Sequence, residues 1–297
     1  MKKIMTVMLA VFMLMVSTCF AADVEGKVDW DGNIIQVTGV GSAPESVTRP
    51  DIRHQIARRT AMLDGYRNML ELVKGINIDS STTVSTLSTP GTSMYSDTIT
   101  SNINGVVRGA RVISEKQNDD GSYSVTLAIK LFGAGSVAAA VVQPNQPTAF
   151  PEPTAVPTAT PAFQKPTAVP AATSAKTVTN ENLNMVTGVI VDARGLGLKR
   201  CMSPRIYDTT GRLVYGDKFV SYDFVVKYGM ASYQPADKIN SGLLTRAGEH
   251  PLTIKAVELK NFNSDIVVSV ADADKMLQAN KYGNFLINAS MVFEYES

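Results

Sequence analysis

The residues with the most chemical promise lie in 185–200, MVTGVIVDARGLGLKR: an apolar run ends in Asp192 and Arg194, Gly195 and Gly197 follow as G-x-G, and Lys199 and Arg200 close the stretch. Glycines that let backbone N–H groups approach an anion, with cations beside them, are the parts of a phosphate loop. The surrounding residues argue against one. A dinucleotide fingerprint needs a third glycine where Arg200 stands and a helix opening directly after it, and Pro204 denies that helix its donors. A Walker-type loop needs Gly-Lys-Ser/Thr, whereas Lys199 is followed by Arg200 and Cys201. Gly195 and Gly197 are therefore expected to turn the chain between strands. Asp192 and Arg194, two apart on one strand face, are expected to pair with each other or with neighbours. Asp192, Arg194, Lys199 and Arg200 are the candidate contacts for an anionic ligand or a partner.

Elsewhere the chain offers little for catalysis. It has two histidines and two cysteines. His54 has no second histidine or cysteine at metal-binding spacing, and His250 precedes Pro251 in what reads as a loop entering a strand. Cys201 lacks a neighbouring base and reads as an apolar filler. Asp119 and Asp120 sit in a turn without EF-hand spacing, and Asp272 and Asp274 read as helix-start residues, with Asp272 the N-cap and Gly283 the stop. No catalytic residue, cofactor or metal is expected, and the chain is not read as an enzyme. A formal net charge of +1 predicts no general affinity for nucleic acid.

The elements that must position the candidate residues fall into two domains. The first, 23–142, opens with the β-branched run NIIQV, expected to end at Gly39, Gly41 and Pro44. A long helix follows, with Pro50 near its start, Gly75 past its end, and Ile52, Ile56, Leu63, Tyr66, Leu70 and Val73 as its apolar stripe. The segment GVVRGARVISEKQNDDGSYSVTLAIKLFG reads as a β-hairpin. Its second arm alternates from Tyr123 to Leu131, and Asn118, Asp119, Asp120 and Gly121 supply the turn. The long helix is the cover available to that small antiparallel sheet, which makes the domain α+β.

The pattern A-x-x-D-x-Y-R-x-x-L-E in the helix, its Gly-Ile exit, the T-T-V strand and the paired Gly-Ala and D-G-x-Y-x-V strands resemble the Lpp-twenty type of bacterial envelope lipoproteins. They are also similar to the N-terminal domain of flagellar assembly protein T. The resemblance covers about a hundred residues of the first domain. It implies an exported, non-enzymatic protein of a Gram-negative-type envelope, partnered by the flagellar basal body or another envelope complex.

Residues 143–179 change composition: eight of the 14 prolines lie there among PTAV and PTAT repeats. Such a segment forms neither helix nor ladder, and is expected to be a disordered tether reaching on the order of 90 Å when extended. The second domain, 180–297, is read as mainly β with one short helix, ADADKMLQANKYG, its strands arranged as a compact sheet or small sandwich. At the other end, Lys2, Lys3, an apolar run from Ile4 to Val16 and small residues at Ala21 and Ala22 read as a signal peptide over 1–22. Export to the periplasm or the outer-membrane surface follows. Cys19, in VSTC, is the alternative lipidation site, and acylation there would attach the protein to a membrane. The leading expectation is a structural or assembly protein. The second is a binding or hydrolytic module acting on a cell-wall sugar or peptide through the C-terminal domain.

Overall fold

The computed structural model describes residues 26–79, 82–89, 96–154, 180–239 and 245–296. Cys19, the leader and residues 155–179 lie outside these. In the first unit, strands β1 (Gly26–Asp29), β2 (Ile34–Gly41), β3 (Arg111–Gln117) and β4 (Tyr123–Lys130) form one antiparallel sheet in the order β1-β2-β4-β3. Helix α1 (Pro50–Lys74) lies across β2 and β4, and α2 (Val84–Ser88), α3 (Ser96–Arg108) and α4 (Val137–Val141) complete the unit.

The face that α1 buries matches the expected stripe only in part: Val73 is buried and Tyr66 and Leu70 pack at its edge. Ala57, Ala61, Gly65, Met69 and Val73 are buried, one every fourth residue, whereas Leu63 is 63% exposed. The cause lies on the strand beneath. Gly39 falls within β2 and Gly41 ends it, and a Cβ on Gly39 would stand 2.2 Å from the Ala61 carbonyl oxygen and from the Gly65 nitrogen. Helix and strand thus meet backbone to backbone, and only small residues fit between them. The hairpin β3–β4 forms as expected, turning at Gly121 with φ of 79°. Its expected first residues, 105–108, belong instead to α3, because Ile99, Ile103 and Val107 recur at i,i+4 and are all buried.

The second unit is mainly β and holds a single mixed sheet, not a sandwich. Its strands are β5 (Gly188–Asp192), β6 (Ile206–Asp208), β7 (Leu213–Tyr215), β8 (Ser232–Pro235), β9 (Pro251–Lys260), β10 (Asp265–Val268) and β11 (Met291–Tyr295). They run in the order β7-β6-β10-β9-β5-β11-β8, and β9, β5, β11 and β8 are parallel to one another. Burial on both faces explains the unbroken apolar runs GVIV and DIVV. The short helices α5 (Tyr222–Tyr228) and α6 (Ala236–Ile239) flank β8. Residues 222–228, outside the one helix expected in this domain, are helical because the Ser221 hydroxyl caps them, accepting from the Phe224 N–H. In α7 (Val270–Gly283) the N-cap is Ser269, not Asp272: the Ser269 hydroxyl accepts the Asp272 N–H at 3.0 Å and donates to the Asp272 carboxylate at 2.8 Å. The helix ends at Gly283, with Asn284 in the left-handed region at its C-cap.

The two units share a seam. Trp30 stands with its ring centroid 6.4 Å from Phe132 and 6.2 Å from Tyr233 of the second unit. Backbone hydrogen bonds run from Met202 N–H to Asn77 C=O (3.1 Å), from Ser203 N–H to Ile78 C=O (2.6 Å) and from Gly133 N–H to Val226 C=O (2.8 Å). Met202 is buried within the first unit's core, and Arg205 bridges Asp79 and Asp217.

Residues 143–154, expected as the start of a free tether, instead strap onto the second unit. Asn145 donates to the carbonyls of Asp217 (2.8 Å) and Val220 (3.3 Å), and the Thr148 N–H donates to Lys218 C=O (2.8 Å). Phe150 stacks on Phe219 with centroids 4.9 Å apart. Prolines withdraw N–H groups from ladders, but they leave an extended chain whose remaining donors and carbonyls can still dock.

Candidate functional site

Strand β5 ends at Asp192, and the loop after it carries the candidate residues. Asp192 is paired in register with Glu294 on β11 and with Lys255 on β9, so three charged positions lie side by side across parallel strands. Arg194 closes this group. Its Nε and one terminal nitrogen each lie 2.8 Å from an Asp192 carboxylate oxygen, and Nε lies 3.2 Å from Glu294. The Arg194 N–H also donates to the Asp192 carboxylate at 3.1 Å. The fork geometry of guanidinium suits this double pairing. Arg194 holds the Asp192 carboxyl below the usual carboxylate range, whereas burial pushes Glu294 above it.

The turn follows from the glycines. Gly195 and Gly197 have φ of 74° and 73°, where a Cβ is disfavoured, and the chain reverses there as expected. The Lys199 N–H then donates to Asn263 C=O at 2.7 Å while its side chain is exposed. Arg200 lies over the Tyr295 ring, 4.5 Å from its centroid, and donates to the Tyr295 hydroxyl. Directly afterwards the chain enters the seam. Cys201 is buried, with its N–H donating to the Tyr233 hydroxyl and that hydroxyl donating to its carbonyl. Burial pushes its thiol pKa up to about 12, which leaves it protonated and inert near neutral pH.

Of the four expected contacts, Asp192 and Arg194 come together. Lys199 and Arg200 point to different surroundings. Grooves lie elsewhere, among them one of about 870 Å³ in the first unit, bounded by α3, α4 and residues such as Arg111 and Lys130, and one of about 400 Å³ at the seam, lined by Trp30, Leu72 and Arg200. Asp192, Arg194 and Lys199 line neither. His54 stacks edge-on against Tyr123 (5.0 Å), beside the exposed pair Arg58–Glu115 at 2.6 Å. Among the described residues, no group of three or more histidine, cysteine or acidic side chains is placed to hold a metal ion.

Sequence reading missed Glu294, Tyr295 and Asn263, whose roles depend on pairings between distant segments. It also missed a second charged cluster in which Arg212 pairs with Asp208 (2.8 Å) and Asp274 (2.6 Å), both carboxylates being buried. The signal available there was DTTGR, residues 208–212, where Asp208 accepts from the N–H of Thr210 and of Arg212 as turn chemistry requires.

The family model described as the second domain of Treponema pallidum Tp0624 matches residues 188–294. It begins on β5 and ends at Glu294, so it takes in both carboxylates that hold Arg194. No curated protein matches the chain.

Proposed function

We propose that this chain is an exported, non-catalytic protein of a bacterial envelope, acting as a structural or assembly adaptor, and that DARGLGL is part of its architecture. The observation that carries the reading is the environment of Arg194. Two carboxylates already hold it, so the triad of Asp192, Glu294 and Arg194 has no spare positive charge for an anion. The same loop runs on through Arg200 into residues 201–205, which bind the first unit. A loop that turns a strand and then fastens two units together has a structural use without chemistry. The leader and the resemblance of the first unit to envelope lipoproteins and the flagellar protein support the location and the class of partner.

Lys199→Ala and Arg194→Gln test it, each followed by thermal melting and by retention on immobilised envelope extract. The structural reading expects Lys199→Ala to leave both unchanged and Arg194→Gln to lower the melting temperature. Unchanged melting with lost retention for either variant would instead favour the binding or hydrolytic module acting on a cell-wall sugar or peptide.

A further inference from the structure

We infer that the surface made by residues 217–220, Arg212 and the α7 residue Asp274 is a recognition site for an extended, proline-rich peptide of another protein, and that residues 147–154 are its resident, displaceable occupant. The occupant reads PTAFPEPT. Prolines at 147, 151 and 153 fix φ and pre-order an extended backbone, which lowers the entropy lost on docking. They also thin out the N–H groups. Two that remain are used, and each belongs to the threonine of a Pro-Thr pair: Thr148 N–H donates to Lys218 C=O at 2.8 Å, and Thr154 N–H donates to the Asp274 carboxylate at 2.9 Å. Between them Phe150 stacks on Phe219, and Phe150, Pro151 and Pro153 are half-buried. Pro-Thr pairs recur at 157–158 and 166–167 without a phenylalanine two residues further on, so Phe150 selects the register.

The receiving side is built for a backbone. Asp208 and Asp274, with side chains 1% and 5% exposed, grip the Arg212 guanidinium and leave one terminal nitrogen to donate to the Glu152 carbonyl at 2.9 Å. Two buried carboxylates on one guanidinium leave a negative charge, and the Thr154 N–H meets it at Asp274. An apolar cluster would hold a sheet corner at least as stably as this ionic one. What the ions add is a donor and an acceptor aimed at an extended chain, with an aromatic face for its side chain, the usual division between backbone affinity and pocket specificity in peptide recognition. Exchange between two copies of this chain is disfavoured, because Val142, just before the strap, packs against both cores, so swapping would require the seam to open. A separate peptide has no such tie.

The test uses the full chain with residues 147–154 replaced by a Gly/Ser sequence of equal length, and a fluorescein-labelled peptide PTAFPEPT read by anisotropy. The attached strap competes at an effective concentration of about millimolar, so the vacated chain is expected to bind the peptide saturably and the intact chain at least about tenfold more weakly. Alanine for the peptide's phenylalanine, or Arg212→Ala in the vacated chain, is expected to weaken binding by about tenfold or more. If the replacement disturbs Trp30 emission or cooperative melting, Phe150→Ala in the intact strap supplies the same comparison. No saturable binding by a folded vacated chain, or binding indifferent to both alanine changes, overturns the inference. So does an intact chain that elutes as a dimer and becomes monomeric when the strap is replaced, which would assign the site to a second copy.

Discussion

Glycines in this protein do two kinds of work, and substitution separates them. Gly195 has nothing within 4 Å of where a Cβ would stand, so alanine there meets only the unfavourable positive φ. Its expected cost is about 1 kcal/mol in a chemical denaturation curve. Arg194→Gln should depend on pH. Asp192 is held below the ordinary range, so its stabilisation is present above that range and lost as pH falls through its depressed folded value. Glu294 is raised by burial, so its contribution is lost as pH rises through its folded value, and removing Arg194 raises it further. Both effects make the substitution cost more at pH 7 than at pH 4, on the order of 1 kcal/mol after discounting for a guanidinium side chain that is 47% exposed. Equal penalties at the two pH values would show that the triad is not coupled as described. The turn at Gly195 and Gly197 and the pairing of Asp192 with Arg194 were legible locally. Glu294 was not, since only the parallel register of β5 and β11 brings it there.

For elements, the instructive case is α1. Its length, proline start and glycine end were legible, because caps and breakers act within a turn or two. Its buried face was legible only at Val73. Hydrophobic periodicity weights Ile, Leu and Tyr, whereas the interface selects for absent side chains where β2 presents Gly39 and Gly41. Gly41→Ala would place a Cβ 2.2 Å from the Ala61 nitrogen, and a loss of about 3 kcal/mol is expected, the upper end for overpacking. Leu63→Gln, on the far side, should change stability by no more than about 0.5 kcal/mol. Urea titrations of the two variants check the contrast, and similar losses from both would return Leu63 to the core. The helical state of residues 222–228 was illegible for a related reason: β-branched and aromatic residues favour strand, and a single serine cap decides otherwise.

Across the whole molecule, composition marked the boundary between two cored regions but not their contact. A proline-rich stretch suggests separation, and nothing local in 201–205 announces that these residues hydrogen-bond to the first unit. The seam implies that cutting the chain leaves it in one piece. With a specific protease site inserted between residues 155 and 179, the nicked protein is expected to elute as one species, and Trp30, the only tryptophan, should keep its emission maximum. Arg205→Ala should weaken that association, more so at low salt, where the pairs with Asp79 and Asp217 count most. Two fragments that separate after cleavage of the unsubstituted protein would show that the seam cannot hold the units alone.

The strap also sets the path that a mechanical load would take. The chain passes Asp274 of α7 at Thr154 and is beside the same helix again in the 3-10 turn Asn180–Met185. A pull applied across the two units therefore travels through the seam and the strap. Extension beyond the seam comes only once Arg212 and Asp274 release the strap. The protein would then behave as a stiff link held by one catch, and a load across its two units would meet rigidity before it yields.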